Sequence, residues 1–152
     1  MKVTCNNVGR SGATLEDLLA TQVSVFSDFV PDLVTVAIGS NDVLKTPLDE
    51  FKVNFLRLLT LLPPGSFVAN IPYFGGRVRR LETVVEMSIF MAKAIGQSSH
   101  HFVDIYSQTK ADQSFRNYAA DMFHPNARGY RSWFQAFLNE IEPILKRELI
   151  QD

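Results

Sequence analysis

The sequence has 152 residues, 46% of them hydrophobic, and a formal net charge of −1. That size and composition predict one globular domain, residues 1–152, with a core of its own. The near-neutral charge argues against nucleic acid or an anionic membrane surface as partner. The single cysteine, Cys5, excludes an internal disulfide and a Cys-rich metal site. No apolar run reaches membrane-spanning length and no signal peptide is recognisable, which favours a cytoplasmic location.

Lys2–Asn6 reads as a short strand, with Cys5 as a small buried hydrophobe. Gly9–Ala13 is a turn, and Thr14 caps a helix whose first turn carries Glu16 and Asp17, the charge sign that suits the helix dipole. Leu15, Leu18, Leu19 and Val23 give that helix its apolar face. Leu33–Ile38 is a β-branched run of the kind found in strands covered on both faces. Gly39–Asp42 follows as a loop. The next helix has Thr46 as cap and Pro47 at its first position, an apolar stripe from Leu48 to Leu62, and a stop at Pro63-Pro64-Gly65.

Phe67–Ile71 is the next strand, and Pro72–Gly76 the loop after it. A helix from about Val78 to Ile95 ends on Gly96 as C-cap. Its start carries Arg77, Arg79 and Arg80, read as a solvated face. His100-His101 reads as a solvated pair ahead of the strand Phe102–Ile105, because no Cys/His cluster accompanies it. The last helix runs from about Ala127 to Leu149, with Trp133, Phe134, Phe137, Leu138, Ile141 and Leu145 inward and a kink at Pro143.

Strands alternating with helices through short loops imply a parallel sheet with helices on both faces. Ligands of such sheets bind beyond the carboxyl ends of the strands. Four loops fall on that rim: Gly9–Ala13, Gly39–Asp42, Pro72–Gly76 and the segment bearing Asp121 and His124. Acyl transfer needs a nucleophile, a base, an orienter for the base and donors for the developing oxyanion. Asp121, three residues before His124, can fix the tautomer of the imidazole and leave Nε2 to act as base. The Asn41 amide can donate into the rim. Gly12, just before a helix start, lets a substrate approach backbone N–H groups closely.

The order Ser11-Gly12-Ala13-Thr14, then Gly39-Ser40-Asn41-Asp42 after an apolar strand, then Asp121-x-x-His124-Pro125 resembles the SGNH (GDSL) hydrolase family. The resemblance spans essentially the whole chain. It implies a flavodoxin-like three-layer α/β/α sandwich that hydrolyses small acyl esters without metal or cofactor. By that resemblance His124 is the base, Asp121 its orienter, and Gly12 and Asn41 are the oxyanion donors. Ser40, Tyr73, Phe74 and Phe123 are candidate pocket-lining residues.

The sequence departs from the family at its start. The Gly-Asp-Ser block, which carries the nucleophile after the first strand, has no counterpart, and a strand with its helix takes roughly 30 residues. The first strand of the sheet is therefore missing, and with it the nucleophile, so this chain is expected to be inactive alone. Ser11 and Ser40 lie on the right rim but outside the turn that holds the family's nucleophile. In the flavodoxin-like order the missing strand is central, so its loss leaves open edges and predicts an oligomeric or poorly soluble chain. Two other readings have their own signals. One is a non-catalytic binder of acyl or sugar esters. The other is a phosphate-binding flavodoxin-like module using Gly9–Ala13, although that turn lacks the Lys-Ser/Thr ending of a P-loop.

Overall fold

The computed structural model describes residues 4–75, 80–121 and 124–151, the last four without their side chains. Its sheet has three parallel strands in sequence order: β1 (Thr35–Ala37), β2 (Phe67–Ala69) and β3 (His101–Val103). The register pairs Val36 with Val68 and Val68 with Phe102 across the sheet. Helices α1 (Leu15–Thr21), α2 (Asp42–Lys45), α3 (Leu48–Leu61), α4 (Leu81–Gly96), α5 (Ile105–Ala111) and α6 (Ala127–Gln151) complete the described elements, with 3-10 turns at Val23–Ser27 and Phe115–Asn117.

The period-2 alternation of the strands splits the core in two. Val36 and Val68 face a large cluster with Leu15 and Leu18 of α1, Phe51, Phe55 and Leu58 of α3, and Val84, Met87 and Met91 of α4. Phe51 and Phe55 stack with ring centroids 5.8 Å apart. Phe67, Ala69 and Val103 face the other side, where Ala136 joins them and Trp133, Phe137, Ile141 and Ile144 pack from α6. Helices on both faces of a parallel sheet make the three-layer sandwich, and the expected fold class holds.

The first expected strand is absent among the described residues. Residues 4–10 are exposed and carry no strand, while Lys2 and Val3 lie outside the described residues. A strand needs a hydrogen-bonding neighbour, and none is paired with residues 4–10 among the described residues. Cys5 is accordingly exposed rather than buried. At β1 the same gap shows from the other side. Val36 is buried, but Thr35 and Ala37 are exposed, and the cluster under α6 takes its strand residues from β2 and β3. The expectation that Leu33–Ile38 is covered on both faces is thus corrected to one face.

Smaller corrections follow from local chemistry. Thr46 does not cap α3; its hydroxyl donates to Asp42 Oδ1 at 2.8 Å, and Pro47 stands at the cap position. Gly96 is the last residue of α4, and Gln97 caps it. His100 is buried, with Nε2 2.8 Å from the Leu59 carbonyl oxygen, and His101 of β3 stacks on Phe67 of β2, so the pair is not solvated. Phe134 and Leu145 are exposed, since the inward face of α6 is the Trp133–Phe137–Ile141–Ile144 stripe. The helix is assigned continuously through Pro143; Asn139, whose carbonyl loses its donor there, is exposed and can reach water. Val78 and the arginines Arg77 and Arg79 lie outside the described residues, and Arg80 is exposed.

Candidate active site

The first part of the site is a junction between two turns. Gly12 has a φ of +77°, which lets the chain reverse before α1 without the strain a side chain would bring there. Thr14 then caps α1 in a reciprocal box with Asp17: its Oγ1 accepts the Asp17 backbone N–H at 3.4 Å, and its own backbone N–H donates to Asp17 Oδ2 at 2.9 Å. The Thr14 hydroxyl donates to the same oxygen at 2.8 Å. The two bonds donated by Thr14 hold the Asp17 carboxyl below its ordinary value, the backbone bond contributing most.

The Asn41 turn docks on this one. Asn41 Nδ2 donates to the Ala13 carbonyl oxygen at 2.9 Å, and Lys45 Nζ donates to the Gly12 carbonyl oxygen at 3.2 Å. Only one of the two Nδ2 hydrogens serves the Ala13 bond, and the Gly12 N–H has no acceptor among the described residues. Two donors therefore remain on the two turns that meet at this junction. Ser11 is exposed and Ser40 half-buried in the same turns. Gly39, with a φ of +106°, ends β1; a Cβ there would lie 3.1 Å from Ile71 Cγ1, so the Asn41 turn sits tightly against the end of β2.

The second part is the segment before α6. Asp121 Oδ2 lies 2.6 Å from His124 Nδ1, and Asp121 Oδ1 accepts the His124 backbone N–H at 3.0 Å. One carboxylate thus fixes both the ring and the backbone that carries it. Both side chains are about half exposed, at 61% for His124 and 50% for Asp121. Nearby bonds close the segment on itself. Ala119 N–H donates to the His124 carbonyl oxygen at 2.8 Å, and Tyr118 bridges Pro125 in antiparallel fashion.

Asn126 anchors the segment to α6. Its Oδ1 accepts the N–H groups of Arg128 and Gly129 at 2.9 and 3.3 Å, the geometry of a helix cap. Its Nδ2 donates to the carbonyls of Arg116 and Tyr118 at 2.9 and 2.8 Å. One side chain therefore starts the helix and fixes the strand-like return beside His124. A cap-type residue just before the helix was the available signal for it.

The third part is the loop after β2. Tyr73 and Phe74 line a cleft of about 30 Å³ together with Tyr118, Pro125 and Trp133. Tyr73 N–H donates to Thr109 Oγ1 at 2.8 Å, and Tyr118 Oη lies 3.5 Å from the Tyr73 carbonyl oxygen, which ties this loop to the His124 segment. Ser40 does not line this cleft. Phe123 lies outside the described residues. Behind the loop, Asn70 donates to Asp104 Oδ1 at 2.9 Å. Burial alone would raise the Asp104 carboxyl, but hydrogen bonds from Ser107 and Asn70 outweigh it and lower it.

Asp42 is the functional-looking residue that sequence reasoning passed over. It is fully buried, and its oxygens accept the Leu15 N–H at 3.0 and 3.2 Å. Its place directly after Asn41 was the only sequence signal. Desolvation raises its carboxyl, and the bonds from Thr46 and Leu15 oppose that rise. Among the described residues no group of three or more His, Cys, Asp or Glu side chains could hold a metal ion, and no helix is long and apolar enough to cross a membrane.

Comparison with known proteins follows the same lines. No curated protein sequence matches. Solved structures do. A catalytic mutant of an acetylxylan esterase from Geobacillus stearothermophilus superposes with a TM-score of 0.74 at 23% identity, over 86% of this chain and 68% of that one. A family 3 carbohydrate esterase from Clostridium thermocellum gives 0.71 at 19%, over 91% of this chain and 70% of that one. The psychrotrophic esterase EstA from Pseudoalteromonas sp. gives 0.66 at 17%, over 90% and 75%. At such identities the likeness establishes the fold. The profile of the GDSL-like lipase/acylhydrolase family matches residues 2–132, most of the chain. The chain belongs to the GDSL-like lipase/acylhydrolase family.

Proposed function

We propose that this chain carries the base, the orienter and two oxyanion donors of a serine-type hydrolase of small acyl esters, and that it lacks the nucleophile. His124 would take the proton of an attacking hydroxyl and return it to the leaving alcohol. Asp121 would hold Nδ1 and stabilise the imidazolium formed in between. Gly12 N–H and Asn41 Nδ2 would bind the oxygen of the tetrahedral intermediate. The observation that carries this reading is the 2.6 Å contact between Asp121 Oδ2 and His124 Nδ1, made by a carboxylate that also pins the His124 backbone. The donors left at the Gly12–Asn41 junction support it.

The nucleophile would arrive on a further strand beside β1. The exposed Thr35 and Ala37, and the strand-less residues 4–10, fit a sheet that is one strand short. With neither Ser11 nor Ser40 serving, the chain by itself would turn over no ester. The test is to read the coding sequence immediately upstream of the Met1 codon. An in-frame strand ending in Gly-Asp-Ser supports the reading. A stop codon there would sink it and favour the non-catalytic ester binder.

A further inference from the structure

We propose that Asp42 is a positioning residue that locks the Gly12 turn and the Asn41 turn into one unit, so that their two donors keep a fixed separation. The inference rests on the reading of Gly12 and Asn41 as oxyanion donors. Asp42 is 0% exposed, and a carboxylate so placed is disfavoured unless donors serve it. Here two donors make three contacts with it. Both oxygens accept the Leu15 N–H, at 3.0 and 3.2 Å, and Oδ1 accepts the Thr46 hydroxyl at 2.8 Å.

The partners show what the carboxylate connects. Leu15 is the first residue of α1, three positions after Gly12, and it is itself fully buried, so its N–H cannot turn to water. Asp42 is the first residue of α2, and Thr46 is that helix's C-cap. The carboxylate therefore grips α2 at its far end and α1 at its near end. Asn41 is adjacent to it in the chain. Its own bond to the Ala13 carbonyl, and that of Lys45 to the Gly12 carbonyl, continue the same seam.

Capping alone does not account for a buried charge here. Thr14 and Asp17 already form a complete capping box at the start of α1. The bond from Leu15 to Asp42 spans 27 positions in the chain and joins two turns that local capping would leave independent. Oxyanion stabilisation depends on donors set in place before the reaction, and a loose pair would lose that advantage.

The test uses NMR of the isotope-labelled chain and no ester, so its failure leaves the hydrolase reading standing, and an absence of turnover leaves this inference standing. Three variants are compared. In Asp42→Ala the Leu15 amide should exchange about tenfold faster or more. The Gly12 amide and the Asn41 side-chain amide should shift together with it. Thr14→Ala loosens the same helix end without touching the seam, and should leave Gly12 and Asn41 in place. Asp42→Asn keeps the shape and an acceptor for Leu15, and should restore the wild-type positions. If Gly12 and Asn41 stay unmoved in Asp42→Ala while Leu15 alone changes, Asp42 is only a cap and the inference is overturned. Should Asp42→Ala fail to fold, acid titration of the wild-type chain decides instead. Leu15, Gly12 and Asn41 should then move with one midpoint, distinct from that of Asp17 and unaffected by Lys45→Met; separate midpoints overturn the inference.

Discussion

Asp121 holds His124 twice, with Oδ2 2.6 Å from Nδ1 and Oδ1 on the backbone N–H at 3.0 Å. A carboxylate used in this way fixes where the proton sits on the ring. The neutral imidazole should carry it on Nδ1, leaving a lone pair on Nε2. Long-range nitrogen–proton NMR of the labelled histidine reads this directly. Wild type should show the Nδ1–H tautomer, and Asp121→Ala should shift the population toward Nε2–H. A wild-type ring already in the Nε2–H form would remove Asp121 from the orienting role.

Burial raises the Asp42 carboxyl above its ordinary value of 3.8, outweighing its bonds from Thr46 and Leu15. The folded state therefore binds the Asp42 proton more readily than the unfolded chain does. The contribution of this group to stability is largest when it is protonated, and it declines as pH rises from about 3.8 through the folded-state value. Asp42→Asn removes that dependence. Urea unfolding of both proteins across the acid range should show the variant gaining on wild type as pH rises. A gain in the opposite direction would mean that the hydrogen bonds to the ionised carboxylate dominate.

Gly129 lies in the first turn of α6, against the segment that returns beside His124. A Cβ there would run into the Asn117 carbonyl oxygen and would lie 2.7 Å from Pro125 Cβ. Gly129→Ala should therefore destabilise the protein by about 1–3 kcal/mol, as overpacking does. It should also move the His124 resonances more than those of the distant Phe51–Phe55 stack. Thermal unfolding equal to wild type would show that the Asn117–Pro125 segment yields without cost.

Among the described residues β1 is an edge strand of the sheet. Leu33–Ile38 carries no charge and no proline, the usual protections of an open sheet edge. The chain should self-associate, as sedimentation at several concentrations would show. Thr35→Lys puts a charge on an exposed position of β1 and should shift the distribution toward monomer. A monodisperse wild-type monomer with a cooperative melt would contradict this.

How much of this was legible in the sequence depended on the range of the interaction. The Thr14 cap and the Asp121–His124 pair follow from residues a few positions apart, where local chemistry suffices, and the parallel order of the strands follows from their alternation with helices. Lys2–Asn6 has strand composition, yet a strand exists only with a neighbour to bond, and composition carries no record of the neighbour's absence. Asp42 was opaque for a similar reason. Its partner Leu15 lies 27 positions away, and an Asp after an Asn reads locally as a turn. His100 looked solvated beside His101 until the end of α3 supplied the Leu59 carbonyl. Phe134 and Leu145 were misjudged because the apolar surface of α6 is wider than its packed stripe, and only the Trp133–Phe137–Ile141–Ile144 face meets the sheet.

The most direct test of the central claim is ester hydrolysis by the chain extended through its in-frame upstream residues, compared with the same protein carrying His124→Ala. Hydrolysis of a small activated ester should fall by about hundredfold or more in the variant, the loss expected on removing a general base. Equal rates in the two proteins would contradict the account, because the base that Asp121 so closely orients would then have no part in the chemistry.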